Sequence, residues 1–285
     1  MSVNTSSVSR VSGTVRPSER FQIVESATFD PRIIVDVLNG ALAGCIFRGI
    51  ISADVCRQIA ANFWKHPCLR TREDNVPASF LGTYHYGKTT DAYLAEADLY
   101  RAVLPDIFDG CDNIFAQVMT AVGATLAAGG VTLRPAAHEG RVGSEFVMRS
   151  WAGQGRFSLE PHEDSAQLRS RLQDGFEIQR VAWSPAVAVN MCVENPSAGE
   201  LHYWNVEPDD ATRERLGIAE TGYPYPLESL EGIEKVVVPI HPGDVYCFNG
   251  KLVHAVASTD KAAGHRSTIS YLMGVRDPQT VIYWS

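Results

Sequence analysis

The segment Pro161-His162-Glu163-Asp164 holds the residues whose types and spacing are best suited to chemistry. It follows a strand-like run, so His162 and Asp164 would lie where a strand ends and turns. A histidine and a carboxylate two residues apart can offer a neutral nitrogen and an anionic oxygen to one metal ion, and a second histidine from a distant strand would complete the triad that holds Fe(II). Alone, the pair is a weak signal, because chance spacing produces it about once in a chain of this composition. The alternative is a surface histidine beside two solvated acids.

A second histidine suited to metal binding is His254, which lies in the apolar run 252–256 after the turn and strand that begin at Gly243-Asp244. An imidazole on a core strand needs a partner for its polar ring, and a metal ion would supply one. A backbone carbonyl could satisfy the ring instead, and that alternative stays open. Five further histidines have no second ligand at a useful spacing and receive no metal role: His66, His138, His202, His241 and His265.

Arg266 begins another strand-like run, whose apolar residues would bury its guanidinium. A buried guanidinium without a fixed anion is costly, and its planar fork matches the geometry of a carboxylate. A bound dicarboxylate is therefore a natural counter-ion. Thr268, on the same strand face, could add a hydroxyl donor. A structural pair with an aspartate is the alternative for Arg266.

The order H-x-D, about ninety residues, G-D and a histidine, then R-x-T twelve residues later resembles the Fe(II)/2-oxoglutarate-dependent dioxygenases over residues 145–275. The resemblance implies that His162, Asp164 and His254 bind Fe(II). It also implies that Arg266, with help from Thr268, binds the distal carboxylate of 2-oxoglutarate, whose 2-oxo acid end chelates the iron. O2 is then the second co-substrate, ascorbate is expected to stimulate, and succinate and CO2 are released.

A narrower resemblance is to the bacterial branch that hydroxylates or chlorinates free amino acids and small natural-product intermediates. It is carried by residues 162–167, 189–193 and 199–205. Halogenases of that branch have glycine in place of the metal-binding carboxylate, which opens a site for chloride. Asp164 occupies that position here, so the resemblance implies oxygenation.

The predicted function is hydroxylation of an unactivated C–H bond in an amino acid, an amino-acid derivative or a cyclic dipeptide, in natural-product biosynthesis. Desaturation or cyclisation by the same cofactors is the close alternative. The competing class is a non-catalytic, cupin-like or lectin-like binding module in which the histidines are structural.

Several polar and aromatic residues near the predicted site are candidates for ligand contacts. Arg149 and Trp151 share one face of a predicted strand and could reach a carboxylate and an apolar body. Tyr223 lies in a proline-rich segment that could form a lid. Asn190, in an apolar strand, must hydrogen-bond to something, either 2-oxoglutarate, the substrate or a backbone group. The candidates for substrate contacts are Tyr84, His85, Arg149, Trp151 and Tyr223, each with ordinary packing as the alternative.

The elements that must position these residues change character at about residue 131 of the 285. Residues 21–130 form a helical support, with helical patterns from Ser52 to a stop at Pro67, over 91–108 and over 112–128, and a strand-like run at 45–51. Residues 131–285 contain short runs rich in Val, Ile and aromatic residues, bounded by turn residues. We predict strands at 145–151, 156–161, 180–193, 199–206, 233–240, 244–248, 253–257, 266–275 and 280–284.

This number and spacing of strands predict a mainly β fold with supporting helices, a sandwich or jelly roll. The family resemblance implies the cupin-like double-stranded β-helix. A single domain would span residues 21–285, after a flexible segment of residues 1–20 that has little to bury. Residues 207–232 are too polar and too rich in proline for a core strand, and are expected to form an insertion over one mouth of the barrel.

The composition excludes other classes of function. Twenty-five Lys and Arg against 33 Asp and Glu give a net charge of −8, which disfavours nucleic acid and anionic lipid as partners and leaves a small-molecule substrate. No stretch approaches the ~20 apolar residues of a membrane span, and the start lacks the apolar core of a secretory signal. Six scattered cysteines indicate neither a disulfide framework nor a zinc site, which predicts a cytoplasmic protein. Nothing in the sequence predicts the oligomeric state.

Overall fold

Two β-sheets pack face to face in the computed structural model of the chain, which describes residues 9–73, 77–151, 155–259 and 264–285. The strands of the described residues are, in chain order, β1 (Gly13–Thr14), β2 (Ile23–Ser26), β3 (Gly44–Phe47), β4 (Arg70–Arg72), β5 (Ala78–Gly82), β6 (Thr132–Pro135), β7 (Ala137–His138), β8 (Arg141–Val142), β9 (Val147–Trp151), β10 (Phe157–His162), β11 (Val187–Glu194), β12 (Leu201–Trp204), β13 (Glu207–Pro208), β14 (Lys235–Val238), β15 (Val245–Asn249), β16 (His254–Ala257), β17 (Arg266–Asp277) and β18 (Thr280–Trp284).

The larger sheet has the order β2-β3-β15-β11-β17-β9-β5-β4, with β18 joined to β17 and β6 to β18. The smaller sheet has the order β10-β16-β12-β14. Most neighbouring strands are antiparallel; β2 with β3 and β6 with β18 are parallel. Two sheets with crossing connections of this kind form a double-stranded β-helix, so the predicted fold class is confirmed.

Helices cover the outer face of the larger sheet: α1 (Pro31–Leu38), α2 (Ala53–Lys65), α3 (Thr90–Arg101) and α4 (Ile114–Ala128). A further helix, α5 (Asp210–Leu216), belongs to segment 207–232 and contacts the turn after β10. Short 3-10 segments span Ser18–Arg20, Leu104–Phe108, Gln167–Arg169, Arg171–Gln173, Glu177–Trp183 and Leu227–Leu230. None of the helices within the described ranges combines the length and the apolar character that crossing a bilayer requires.

Strand β11 shows how the sequence separates core from cavity. Val189 and Met191 are buried in the apolar cluster between the larger sheet and the helices, where they join Phe63 of α2. The residues that alternate with them, Ala188 and Asn190, face the cavity between the two sheets. This alternation follows from the period of two along a strand, and it lets a single strand serve both the core and the site.

Nine strands coincide with the predicted runs, but the run 180–193 is wrong in its first part. Residues Glu177–Trp183 form a 3-10 helix and β11 begins only at Val187. Pro185 has no N–H to give to a β ladder, so the strand starts after it. The pattern 91–108 is likewise divided, because Pro105 is incompatible with a continued α-helix.

The first half contributes more to the sheets than a helical support would. Strands β2, β3, β4 and β5 all belong to the larger sheet, and helix α1 was not predicted. Helix α2 was predicted, and the Ser52 hydroxyl caps it by accepting a hydrogen bond from the N–H of Val55.

Residues 1–8 lie outside the described residues, but Val11 is buried against Trp204, contrary to the expectation that residues 1–20 bury little.

Asp244, in the turn before β15, holds this strand against the end of β3. Its buried carboxylate accepts hydrogen bonds from the N–H groups of Gly49 and His241, at 3.0 and 2.8 Å, and from the Arg48 guanidinium at 2.9 Å. The Gly243-Asp244 pair is thus a structural feature that places β15 and, beyond it, His254.

Replacing Asp244 by Ala should lower the free energy of unfolding by about 3 kcal/mol, because two buried N–H groups and part of a guanidinium lose their acceptor. Urea unfolding followed by circular dichroism measures the change. The control is Glu25→Ala, which removes the exposed carboxylate on the same Arg48 and should cost less than about 1 kcal/mol. Equal effects of the two substitutions would contradict the role given to Asp244.

Candidate metal centre and ligand cavity

His162 and His254 face each other across two neighbouring strands. His162 is the last residue of β10 and His254 the first of β16, and the two are directly paired in the antiparallel register. Their ring centroids lie 4.1 Å apart. As predicted, a histidine at a strand end lies next to a histidine from a strand that is distant in sequence.

Both imidazoles have their protons directed away from the space between them. The Nδ1 atom of His162 lies 2.8 Å from the carbonyl oxygen of Glu160, and that of His254 lies 2.9 Å from the carbonyl oxygen of Leu252. A carbonyl can only accept, so each Nδ1 carries the hydrogen and each Nε2 has a free lone pair. Burial lowers the pKa of His162 to about 3 and that of His254 to about 4, so both rings are neutral at pH 7.

Asp164 completes the cluster from the turn after β10. Its carboxylate oxygens lie 4.0 Å from Nε2 of His162 and 3.6 Å from Nε2 of His254. Its N–H donates to the carbonyl oxygen of Gly250 at 2.7 Å, and the Gln167 side-chain amide donates to Oδ1 at 2.9 Å. Burial raises the pKa of Asp164 to about 6. Backbone and amide contacts thus orient an anion that has no arginine or lysine of the described residues in contact with it.

The three ligand atoms lie within 4.8 Å of one another, the only such group of His, Cys, Asp and Glu among the described residues. Two neutral imidazole nitrogens and one carboxylate oxygen form the facial triad suited to Fe(II), which leaves three coordination positions open. The backbone hydrogen bonds to both Nδ1 atoms are the outer contacts that metal-bound histidines require. The residues present therefore fit an iron ion.

Arg266 lies in the wall of the same cavity, with 1% of its surface exposed. Its Nε donates to the carbonyl oxygen of Gly199 at 3.1 Å, and one terminal nitrogen donates to the Tyr246 hydroxyl at 3.0 Å. No carboxylate of the described residues is within ion-pairing distance of Arg266. A side chain at Gly199 would lie 2.8 Å from Cδ of Arg266, so the close approach requires glycine there. The buried guanidinium is left without a counter-ion from the described part of the chain.

A chain of polar side chains runs beside Arg266. The hydroxyls of Thr268 and Ser270 lie 3.0 Å apart, and Ser270 donates to Oδ1 of Asn190 at 2.8 Å. Asn190 and Ser270 line the cavity, whereas Thr268 does not. Thr268 contacts the cavity-lining Ser270, and its predicted direct contact with 2-oxoglutarate stays a prediction.

The cavity between the two sheets has a volume of about 340 Å³. The substrate-side candidates all line it: Tyr84, His85, Arg149, Trp151 and Tyr223. Tyr223 comes from the predicted insertion and its ring centroid lies 6.3 Å from that of His162. The cavity joins these residues to the iron ligands and Arg266 in one space, large enough for 2-oxoglutarate and a small substrate together.

Glu163, between the two iron ligands of the motif, has a different role. Its carboxylate is fully buried and accepts hydrogen bonds from Nε of Arg213, at 2.9 Å, and from the N–H and hydroxyl of Ser165. Arg213 belongs to α5, and the N–H of Glu163 donates to the carbonyl oxygen of Gly222. These contacts attach segment 207–232, including Tyr223, to the turn that holds Asp164.

Sequence reasoning missed the roles of Gln167, Tyr246, Ser270 and Gly250. Gln167 had a local signal, since it lies three residues after Asp164 in the same turn. Tyr246 and Ser270 had none, because their roles depend on which side chains meet across neighbouring strands. For Gly250, the carbonyl contact with Asp164 becomes visible only once the fold brings the two turns together.

Comparison with known proteins identifies the relatives of this fold and site. A family model described as "Carrier-protein-independent halogenase WelO5" matches residues 22–285. The chain belongs to this family. The L-isoleucine 3(1)-dioxygenase of Pantoea ananatis is 28% identical to this chain over 262 residues, covering 87% of this chain and 86% of the relative.

A solved structure of an N-substituted L-amino acid dioxygenase from Burkholderia ambifaria superposes with a TM-score of 0.50 at 13% identity, covering 90% of this chain and 91% of the other. This likeness shows the shared fold. The predictions of an enzyme, and of an iron- and 2-oxoglutarate-dependent dioxygenase related to the bacterial amino-acid and natural-product branch, are confirmed.

Replacing Gly250 by Ala should weaken metal binding by about tenfold or more. The new methyl group would lie far inside van der Waals contact with Oδ2 of Asp164 and would displace the carboxylate. Calorimetric titration with Mn(II) measures the affinity, and circular dichroism checks that the fold is retained. Gly123→Ala in α4 is the control, because its methyl group would meet only an ordinary 3.8 Å contact. Unchanged Mn(II) affinity in the Gly250 variant would show that Asp164 is not held as described.

Proposed function

We propose that the protein uses Fe(II), 2-oxoglutarate and O2 to hydroxylate an unactivated C–H bond of a small molecule, an amino acid or a derivative of one, in natural-product biosynthesis. The observation that carries the proposal is the complete triad of His162, Asp164 and His254 in one cavity with the buried guanidinium of Arg266. The name of the Pantoea ananatis relative supports an amino-acid substrate.

Iron bound at this site supplies the activation of O2 that couples oxidation of 2-oxoglutarate, to succinate and CO2, with oxidation of the substrate. The residues of the chain do the rest. The Arg266 guanidinium binds the distal carboxylate of 2-oxoglutarate, and the Tyr246 hydroxyl, which accepts from Arg266, can donate its own hydrogen to the same carboxylate. The apolar walls of the cavity exclude water from the reacting groups.

The carboxylate of Asp164 favours oxygenation over the chlorination in the family's name. An iron held by His162, Asp164 and His254 would have open positions only for the 2-oxo acid and O2. No position remains for chloride while Asp164 is bound. The tight contact of Asp164 with Gly250 keeps the carboxylate in place.

The setting of this activity is proposed to be the cytoplasm, since the six scattered cysteines lack the spacing of a disulfide framework. The net charge of −8 supports a small molecule rather than nucleic acid or an anionic membrane as the partner.

The purified protein with Fe(II) and ascorbate should release succinate from 2-oxoglutarate, and apolar amino acids, L-isoleucine first, should increase the rate. His162→Ala and His254→Ala should remove this release, because the metal then loses one of its two histidine ligands. Product mass decides the outcome: a gain of one oxygen atom, with or without added chloride, supports hydroxylation. A loss of two hydrogen atoms would establish desaturation or cyclisation, and a chlorinated product would overturn the argument from Asp164. Absence of any metal-dependent succinate release would favour the non-catalytic binding module.

Replacing Arg266 by Ala should raise the KM for 2-oxoglutarate by about ten- to a hundredfold, the loss expected for charge-assisted hydrogen bonds to a carboxylate. Mn(II) affinity should stay within about twofold of the original, since Arg266 touches none of the metal ligands. Steady-state succinate assays and Mn(II) titration measure the two effects, with exposed Arg215→Ala as the control. Equal loss of both affinities would show that Arg266 is purely structural.

A further inference from the structure

Besides Arg266, two further arginines line the cavity, Arg72 and Arg149, and the charge of Arg149 remains uncompensated once the co-substrate is bound. Two negative charges on 2-oxoglutarate and one on Asp164 balance the two positive charges of Fe(II) and the one of Arg266. Asp164 is the only acidic side chain of the described residues that lines the cavity. Arg149 therefore retains a positive charge for which the described cavity offers no anion, and such a charge is costly unless a ligand supplies one.

The contacts of Arg149 leave its donors available. Its guanidinium lies 4.9 Å from the ring centroid of Trp151, which positions the group by stacking but accepts no conventional hydrogen bond. Its Nε is buried without a hydrogen-bond partner. Burial, reinforced by the neighbouring charge of Arg72, lowers the pKa of Arg149 to about 10, so it stays charged at pH 7. A carboxylate matches both the charge and the planar donor pattern.

His85 presents an acceptor to the same cavity. The side-chain nitrogen of Gln173 donates to the carbonyl oxygen of His85 at 2.8 Å, so the Gln173 oxygen faces Nδ1 of His85, at 3.0 Å. That oxygen can only accept, and the hydrogen must therefore be on Nδ1. The lone pair of Nε2 is buried and has no partner among the described residues. Burial lowers the pKa of His85 to about 4, which keeps the ring neutral.

We propose that Arg149 binds the carboxylate of the substrate and that Nε2 of His85 accepts a hydrogen bond from a substrate N–H. The substrate class is then an amino acid, or an N-substituted amino acid that keeps one N–H, with a free carboxylate. Cyclic dipeptides, which have no carboxylate, are excluded. The proposal rests on the proposed function, since it assumes that 2-oxoglutarate occupies Arg266.

Binding of matched ligands tests the proposal without turnover. Calorimetry on the protein loaded with Mn(II) and 2-oxoglutarate compares each of four amino acids, L-isoleucine, L-leucine, L-phenylalanine and L-tryptophan, with its amide, its deaminated acid and its cyclic dipeptide. We expect at least one free amino acid to bind about tenfold or more tightly than its amide and its deaminated acid. Tighter binding of an amide or a cyclic dipeptide, or no binding by any amino acid, would overturn the proposal.

Two variants assign the contacts to residues. Arg149→Met should weaken binding of the best amino acid about tenfold or more and leave its amide unaffected, and Arg149→Lys should restore part of the loss. His85→Phe should weaken binding of the amino acid several-fold and leave binding of its deaminated acid unaffected. If His85→Phe does not fold, Gln173→Met can replace it. This substitution removes the oxygen that accepts from Nδ1 of His85, and it should weaken binding of the amino acid but not of its deaminated acid.

Arg156→Met is the matched control, because this exposed arginine also stacks on an aromatic ring, that of Phe157, but does not line the cavity. The assignment would be overturned if the Arg149 variant bound all ligands equally more weakly. It would also be overturned if the variant lost affinity for 2-oxoglutarate and kept its affinity for the amino acid. Substrate-free succinate release by each variant reports the oxygenase function separately. If the unmodified protein releases succinate but the variants lack the predicted ligand selectivity, this inference alone is refuted. If the unmodified protein releases no succinate, the proposed function is refuted.

Discussion

Two imidazole nitrogens and a carboxylate are buried within 4.8 Å of one another, and all three present lone pairs to the space between them. Such an arrangement is unfavourable without a cation, because the carboxylate is desolvated and no proton lies between the ligand atoms. The surrounding structure maintains it: backbone carbonyls fix both histidine tautomers, the register of β10 and β16 pairs His162 with His254, and the bare backbone of Gly250 admits Asp164. The metal centre is thus a consequence of strand register as much as of ligand identity.

Charge accounts for the second level of organisation. The protein is acidic overall, yet its central cavity contains two arginines without carboxylate partners from the described residues, buried Arg266 beside Tyr246 and half-buried Arg149 beside Trp151. One matches the distal carboxylate of 2-oxoglutarate and the other is suited to the carboxylate of a substrate. On this proposal, the local charge of these two arginines, and not the net charge, determines which small anions the cavity favours. The same reasoning connects Asp164 to reaction outcome, because the third protein ligand removes the position that a halide would need.

Much of this site could be predicted from the sequence, where each residue carried its own signal. His162, Asp164 and His254 combine metal-binding types with strand-like surroundings, and Arg266 is a charge at the start of an apolar strand. Tyr246 and Ser270 carried no such signal, since their importance comes from neighbours on other strands. In the fold, helix α1 does begin with a capping Asp30 followed by proline, a signal that was overlooked, whereas the short β4 (Arg70–Arg72) has none of the apolar pattern of a core strand. Tertiary pairing, not local propensity, makes it a strand.

The segment 207–232 shows how the motif and the lid region are joined. Buried Glu163 contacts Arg213 of this segment, while its two neighbours of the motif are the proposed metal ligands, so one turn organises both these ligands and the cavity wall at Tyr223. The central claim is that this turn, with His254 and Arg266, forms a site for iron chelated by 2-oxoglutarate. Anaerobic visible spectroscopy tests this claim most directly. Adding 2-oxoglutarate to the Fe(II)-loaded protein should produce a charge-transfer absorption band that saturates at one equivalent per chain, and His162→Ala should remove it. A spectrum that 2-oxoglutarate leaves unchanged would contradict the account.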